Sequence, residues 1–270
     1  VTTYALPTSY SNSAASICAD ATFVYVCGNS SSFSGIRQYT TSGVLNATLG
    51  TAFVAQNDEM CFDGTNLWTV GKSTALVRTT LAGVMTTFTI SSASNLYSIC
   101  YDAGSGYLFC GNNAGTNSLI KILASSPATN SAYSNGKRND PHQCTDGTYI
   151  WQCNDWNGVT QYLISNPSVF TNFTWAGPSI ASSFWYVVFD GASLWFTNTV
   201  TGGGAFLQVS PSSPTTGTAI QPVTGPAPAA NQPMCVGPSS QVPSRAPWAG
   251  GTGYVFTIAS PALGQIVMIT

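Results

Sequence analysis

Charge is scarce in this 270-residue chain. Asp, Glu, Lys and Arg make up 6% of it, against roughly 25% in ordinary soluble domains. Seven Lys or Arg, nine Asp or Glu and a single His leave a net charge of −2. A nucleic-acid binder needs a basic footprint to displace counterions, and none is present. A coiled coil or long charged helix is excluded as well. No apolar run approaches the roughly 18 residues of a helical membrane span, so none is expected. Catalytic signatures are equally sparse, with no G-x-S-x-G, no H-E-x-x-H and no phosphate-binding glycine loop. One His falls short of the usual zinc donor set. No metal or other cofactor is expected; calcium on Asp58, Glu59 or loop carbonyls is the one ion the residues leave open.

Core-forming residues are plentiful, at 44% hydrophobic and 12% aromatic, which excludes a disordered chain. The surface must then be built mainly of Ser, Thr, Asn, Gln and Gly, and such neutral surfaces resist association less than charged ones. Eight cysteines in so uncharged a chain favour an oxidising compartment. An extracellular, cell-surface or particle-surface location is the expectation. Asn29, Asn46 and Asn172 each open a glycosylation acceptor triplet, a pattern that so Asn-, Ser- and Thr-rich a chain also produces by chance.

An internal repeat carries the fold. ICADATFVYVCG, MCFDGTNLWTVG, ICYDAGSGYLFCG, QCTDGTYIWQCN and VVFDGASLWFTN share one layout: an apolar run, an Asp-centred turn and a second apolar run. Their aspartates are Asp20, Asp63, Asp102, Asp146 and Asp190, at spacings of 43, 39, 44 and 44 residues. A degenerate sixth copy begins MCVG and carries an insertion before GYVFTI. Asp63-Gly64, Asp146-Gly147 and Asp190-Gly191 are hairpin dipeptides, since both residue types tolerate the positive φ of a tight turn. Each hairpin is followed by a third strand, a turn and a fourth strand, as in GIRQYTT-SG-VLNATLG. Four strands in about 44 residues is the size of a propeller blade.

The predicted architecture is an all-β, six-bladed β-propeller with four antiparallel strands per blade, filling residues 1–270 as one domain. Approximate repeats are 16–59, 60–98, 99–142, 143–186, 187–233 and 234–270 plus 1–15. The last unit ends at GQIVMIT without a fourth strand, and VTTYALPTSY at the other end is extended and unassigned. The amino-terminal strand is therefore expected to complete the last blade and close the ring, which also pairs an open strand edge.

The D-G-x-x-L/I-W layout, as in Phe62-Asp63-Gly64-Thr65-Asn66-Leu67-Trp68, resembles blades of the NHL and YVTN-type propeller repeat proteins. The resemblance touches all six units through a few residues in each. It implies architecture rather than activity, because propellers of this kind include lyases, binding scaffolds and surface-layer components.

The repeated aspartates read as turn caps bonding their own backbone. Trp68, Trp151, Trp195 and Tyr25 share one repeat position and read as core between blades. Cys18 and Cys27 flank one hairpin turn and Cys144 and Cys153 another; Cys100 and Cys110 flank a turn read as one residue longer. Opposed residues in a hairpin come close to disulfide reach, so three cross-strand disulfides are predicted. Cys61 and Cys235 lack such mates and are expected as free thiols.

Once the turn aspartates are set aside, Asp58, Glu59, Lys72, Arg138, Asp140, His142, Asp155, Trp156 and Asn157 cluster in loops expected at one end of the ring, entering or leaving blades two to four. They are the candidate ligand-binding residues. If the protein is an enzyme, His142 is the candidate general base, with Asp140 or Asp155 to orient it and Glu59, the only glutamate, as a further carboxylate. Three functions follow. The first is a non-catalytic binding or adhesion module recognising a glycan or protein surface, with Trp156, Asn157, His142 and the stretch Ser183-Phe184-Trp185-Tyr186 as contacts. The second is a structural subunit of a filament, coat or virus particle, where a nearly uncharged surface allows self-assembly without burying unpaired charge. The third is a lyase-like propeller enzyme using His142.

Overall fold

A computed structural model describes residues 2–5, 14–20, 22–28, 35–40, 42–50, 59–113, 118–135, 142–154, 158–174, 184–198, 205–214, 217–220, 234–237, 254–259 and 265–269. The described chain is built of strands: β1 (Thr2–Ala5), β2 (Ala14–Ala19), β3 (Phe23–Gly28), β4 (Ile36–Thr40), β5 (Leu45–Leu49), β6 (Glu59–Phe62), β7 (Asn66–Val70) and β8 (Ala75–Thr80). They continue with β9 (Met85–Thr89), β10 (Leu96–Asp102), β11 (Tyr107–Asn112), β12 (Leu119–Leu123), β13 (Asn130–Tyr133), β14 (Gln143–Thr145), β15 (Tyr149–Asn154) and β16 (Gly158–Leu163). The remainder are β17 (Phe170–Thr174), β18 (Phe184–Phe189), β19 (Leu194–Asn198), β20 (Ala205–Val209), β21 (Gly217–Ile220), β22 (Met234–Gly237), β23 (Tyr254–Ala259) and β24 (Gln265–Ile269).

Five four-stranded antiparallel sheets each take four strands consecutive in sequence, β2–β5, β6–β9, β10–β13, β14–β17 and β18–β21. A further four-stranded sheet draws on both ends of the chain, in the order β1-β24-β23-β22. Thr2 stands opposite Met268 and Ala5 opposite Gln265 in its outer pair. The first strands of the sheets, β2, β6, β10, β14, β18 and β22, pack each against the next, and β22 returns to β2. This is a β-propeller. The sheets begin slightly ahead of the aspartate-anchored repeat frame, since β6 starts at Glu59 and β10 at Leu96.

Core side chains lie between blades. Cys18, Tyr25, Cys27 and Ile36 of the β2–β5 sheet form one cluster with Met60 and Leu67 of the next. Trp68, Val70 and Leu76 pack with Ile99, Leu108 and Ile120, Phe109 and Leu119 with Ile150 and Tyr162, and Trp151 and Val159 with Val187 and Phe196. Each fully buried Leu, Ile or Phe contributes about 1.5–3 kcal/mol, so successive blades are cemented face to face. Strand alternation supplies these faces: neighbouring residues of one strand serve opposite interfaces, as Trp151 and Ile150 do. Of the repeated aromatics, Tyr25, Trp68 and Trp151 are fully buried, while Trp195 is half-buried.

The aspartates do cap their turns. Asp63 Oδ1 accepts the N–H groups of Thr65 and Asn66 at 2.7 and 2.6 Å, and Asp20, Asp146 and Asp190 make the same pair of bonds. Gly64 beside Asp63 has φ +95° with open space where a Cβ would stand, so backbone conformation rather than crowding requires glycine there.

The predicted disulfides are corrected by the register. All seven described cysteines carry thiols. Cys18 stands opposite Tyr25 and Cys27 opposite Ser16, while Cys144 stands opposite Trp151. Each tight turn thus sets Cys18–Cys27 and Cys144–Cys153 two residues out of register. Diagonal neighbours lie about 7–8 Å apart, beyond bridging distance. In the third hairpin Cys100 faces Phe109 and Cys110 faces Ile99. That offset of one residue puts the two thiols on opposite sides of the sheet, Cys110 against the preceding blade and Cys100 against the following one. Cys61 is a thiol packed at an interblade face, whereas the side chain of Cys235 lies outside the described residues. The argument from cysteine content to an oxidising compartment falls with the bridges.

Candidate functional site

One repeat position builds the site. Counting four residues back from each turn aspartate gives Ser16, Glu59, Ser98, His142 and Tyr186, all within two residues of the start of an innermost strand. The ring therefore brings them to one end of its centre from five consecutive blades. Ser16 Oγ accepts the N–H of Met60 in the next blade at 3.0 Å. Glu59 repeats the relation one blade on, its Oε2 accepting the N–H of Ile99 at 2.8 Å. Its other oxygen, Oε1, takes a hydrogen bond of 2.7 Å from Nδ1 of His142. The His142 ring lies in turn on the ring of Tyr186, with centroids 3.4 Å apart and 24° between planes. A single glutamate thus ties the β6, β10 and β14 blades together, and the imidazole extends the tie to the β18 blade.

Both partners are nearly enclosed: the side chain of His142 is 12% exposed and that of Glu59 10%. An ionised carboxylate accepts bonds only, so its two oxygens are matched by two donors, as burial of a charge requires. The backbone holds the imidazole too, because His142 O accepts the N–H of Cys153 at 2.9 Å. Glu59 also acts on the thiols around it. Burial first, and the Glu59 charge next, push Cys100, Cys110 and Cys153 upward from the ordinary thiol range. These sulfurs stay protonated and unreactive.

The orienting partner of His142 is Glu59; Asp140 and Asp155, expected in that role, lie outside the described residues. So do Asp58, Arg138, Trp156, Asn157 and Ser183, and the side chains of Phe184 and Trp185. Lys72 sits with φ +43°, its ammonium 5.3 Å from the centre of the Tyr97 ring. Among the described residues no group of three or more His, Cys, Asp or Glu is placed to hold a metal ion, and the Glu59 carboxylate considered for calcium is bonded to His142 and Ile99. No described helix is long and apolar enough to cross a membrane. Sequence reasoning named Glu59 and His142 separately and missed their contact. Aligning them on the repeat, where both precede an aspartate by four residues, was the signal that joins them with Tyr186.

No family model matches the chain, and no curated protein is similar to it at a significant level. Solved structures are similar in fold. Virginiamycin B lyase from Staphylococcus aureus superposes with a TM-score of 0.64 at 14% identity, over 99% of this chain and 87% of that one. A catalytically inactive histidine-to-alanine variant of that lyase, crystallised with quinupristin, gives the same values. A chain of a nidogen/laminin complex superposes with a TM-score of 0.62 at 11% identity, covering 87% of this chain and 90% of that one. Likeness at such identities shows the β-propeller fold and no more.

Proposed function

We propose that this protein is a non-catalytic β-propeller that recognises a glycan or protein surface with the loops at the His142 end of its ring, in an extracellular or particle-surface setting. The observation that carries the reading is the state of the only histidine and the only glutamate. They are bonded to each other, Glu59 to an Ile99 amide as well and the His142 ring lying on Tyr186, with side chains only 12% and 10% exposed. A histidine and a glutamate so engaged favour a structural role over acid–base chemistry. The sequence close to these residues includes Trp156 and Asn157, an aromatic ring and an amide of the kinds that stack on sugar faces and bond hydroxyls. The nidogen likeness, a propeller in a complex with laminin, supports a protein surface as the other ligand class. The location rests on the neutral polar surface alone. Glycan-array binding by the purified chain tests the reading, with Trp156→Ala expected to weaken a positive signal at least about tenfold. Silence on the array and against candidate protein surfaces overturns it.

A second reading has one observation in its favour. His142 stands near the ring centre with a carboxylate on Nδ1, the arrangement that orients an imidazole base, and histidine replacement inactivates the similar lyase. On this reading the chain consumes quinupristin, and His142→Ala abolishes that consumption. Chromatographic loss of quinupristin with the wild type and none with His142→Ala would replace the binding proposal by this one.

A further inference from the structure

The outermost strands carry a surface that the site does not use. β1, β5, β9, β13, β17 and β21 end their sheets; their sequences TTYA, LNATL, MTTFT, NSAY, FTNFT and GTAI contain no Lys, Arg, Asp, Glu or Pro. Charges and prolines are the usual means of keeping an open strand edge from pairing with another chain. Their absence from all six edges leaves the main-chain groups there undefended.

Among the edge strands whose side chains are described, β17 has three consecutive exposed residues, Phe170, Thr171 and Asn172, and Val169 just ahead of them is 54% exposed. Its pairing with β16 sets Thr171 opposite Gln161 and Asn172 opposite Thr160, and Leu163 N–H bonds to Val169 O at 3.0 Å. Bonded and non-bonded pairs alternate along an antiparallel ladder, so Thr171 and Phe173 bond inward while Phe170 and Asn172 turn N–H and C=O to the open side.

We propose that β17 pairs with β17 of a second copy of this chain, antiparallel about a twofold axis through Asn172. That register uses the outward groups of both copies and places Thr171 opposite Phe173 twice, an aromatic with β-branched combination favourable across strands. It brings no charge near another, whereas a charged partner would find nothing on this edge to answer it. The contact is isologous and closes as a dimer.

Sedimentation velocity across the micromolar range tests the pairing on the full chain. A concentration-dependent dimer is expected. Asn172→Pro, which removes an outward N–H and the side-chain bond from Thr160 Oγ1 but no main-chain bond to β16, weakens it at least about tenfold, and so does Thr171→Lys, which charges the edge without altering the backbone. Ser131→Lys, on the exposed edge of β13, leaves it unchanged. A monomer throughout the range, association unaffected by Thr171→Lys, or equal weakening by Ser131→Lys would each overturn the proposal. Should Asn172→Pro fail to fold, Thr171→Lys decides alone.

Discussion

Four inner hairpins of this molecule are fastened in one way and a fifth in another. Beyond capping the turn, Asp20, Asp63, Asp146 and Asp190 use Oδ2 to accept a bond from an aromatic five residues on. The donors are Tyr25 O–H at 2.6 Å and the indole N–H groups of Trp68, Trp151 and Trp195 at 2.6, 2.8 and 2.6 Å. In the β10–β11 hairpin the corresponding residue is Phe109, opposite Cys100 as Trp68 is opposite Cys61. Phenylalanine has nothing to donate. Asp102 turns instead to the N–H of Ser105 at 2.8 Å and lies 3.5 Å from Thr145 Oγ1 of the next blade. The turn is two residues longer, and Gly106 N–H closes it on Asp102 O at 2.9 Å. A blade can thus be closed without the clasp: Phe109 is buried as fully as Tyr25, Trp68 and Trp151, and this turn, like the clasped ones, makes a backbone bond of its own.

The largest effect is alkaline destabilisation, to which the unclasped blade and both its clasped neighbours contribute. The unclasped blade carries Cys100 and Cys110 on its two faces, both pushed upward by burial and then by Glu59; Cys153 in the next blade behaves alike, and burial also raises Cys144 beside it and Cys61 in the preceding blade. Above the ordinary thiol value of about 8.5 the unfolded chain gives up these protons while the folded chain keeps them. The unfolded state then binds fewer protons, so stability is full below about pH 8.5 and falls as pH rises, by about 1.4 kcal/mol per pH unit for each thiol. Urea unfolding at rising pH should show several kcal/mol lost within two units, and Cys110→Val should flatten the slope by one proton. A slope that Cys110→Val leaves untouched would show that this thiol ionises as freely folded as unfolded.

The next effect separates the two kinds of hairpin. Asp63→Ala removes the acceptor for two turn N–H groups and leaves the Trp68 indole N–H buried without a partner. The expected cost is about 2–4 kcal/mol in chemical denaturation. Asp102→Ala, which loses one good backbone bond, should cost about 1 kcal/mol. Equal costs would mean that the clasp adds nothing to the cap.

Much of this was legible in sequence because the repeat displays it. The Asp-centred turns, the buried aromatics and the pairing of Thr2–Ala5 with the last strand follow from spacing and strand period. Register was less legible. Counting residues between Cys18 and Cys27 assumed a symmetric hairpin, whereas the Asp20 turn closes Asp20 N–H on Phe23 O and slides the cysteines two places apart. A two-residue difference in turn length at Asp102 then moved Cys110 to the opposite face, although it sits only one residue further from its supposed mate. The Glu59–His142 contact was hidden for another reason. It joins residues 83 apart through ring closure, and only superposing equivalent repeat positions places both at the centre.

The smallest effect isolates the clasp itself. Trp68→Phe gives the β6–β7 hairpin the aromatic of the β10–β11 hairpin while keeping the shorter turn. Asp63 retains its bonds to Thr65 and Asn66 N–H, and Asn66 Nδ2 still lies 3.3 Å from Oδ2, so the carboxylate is not stranded. Arg78, which lies over both Trp68 and Phe88, keeps the Phe88 ring. What disappears is one charge-assisted bond and part of a buried ring, an expected loss of about 1–2 kcal/mol by urea denaturation. Asp63→Ala with Trp68→Phe should then cost less than the two single changes summed, by about 1 kcal/mol, because the double variant no longer buries an unpaired indole N–H. Additive costs would show that Trp68 serves the blade by volume alone, as Phe109 does, and that the four matching bonds are a consequence of packing rather than a cause of it.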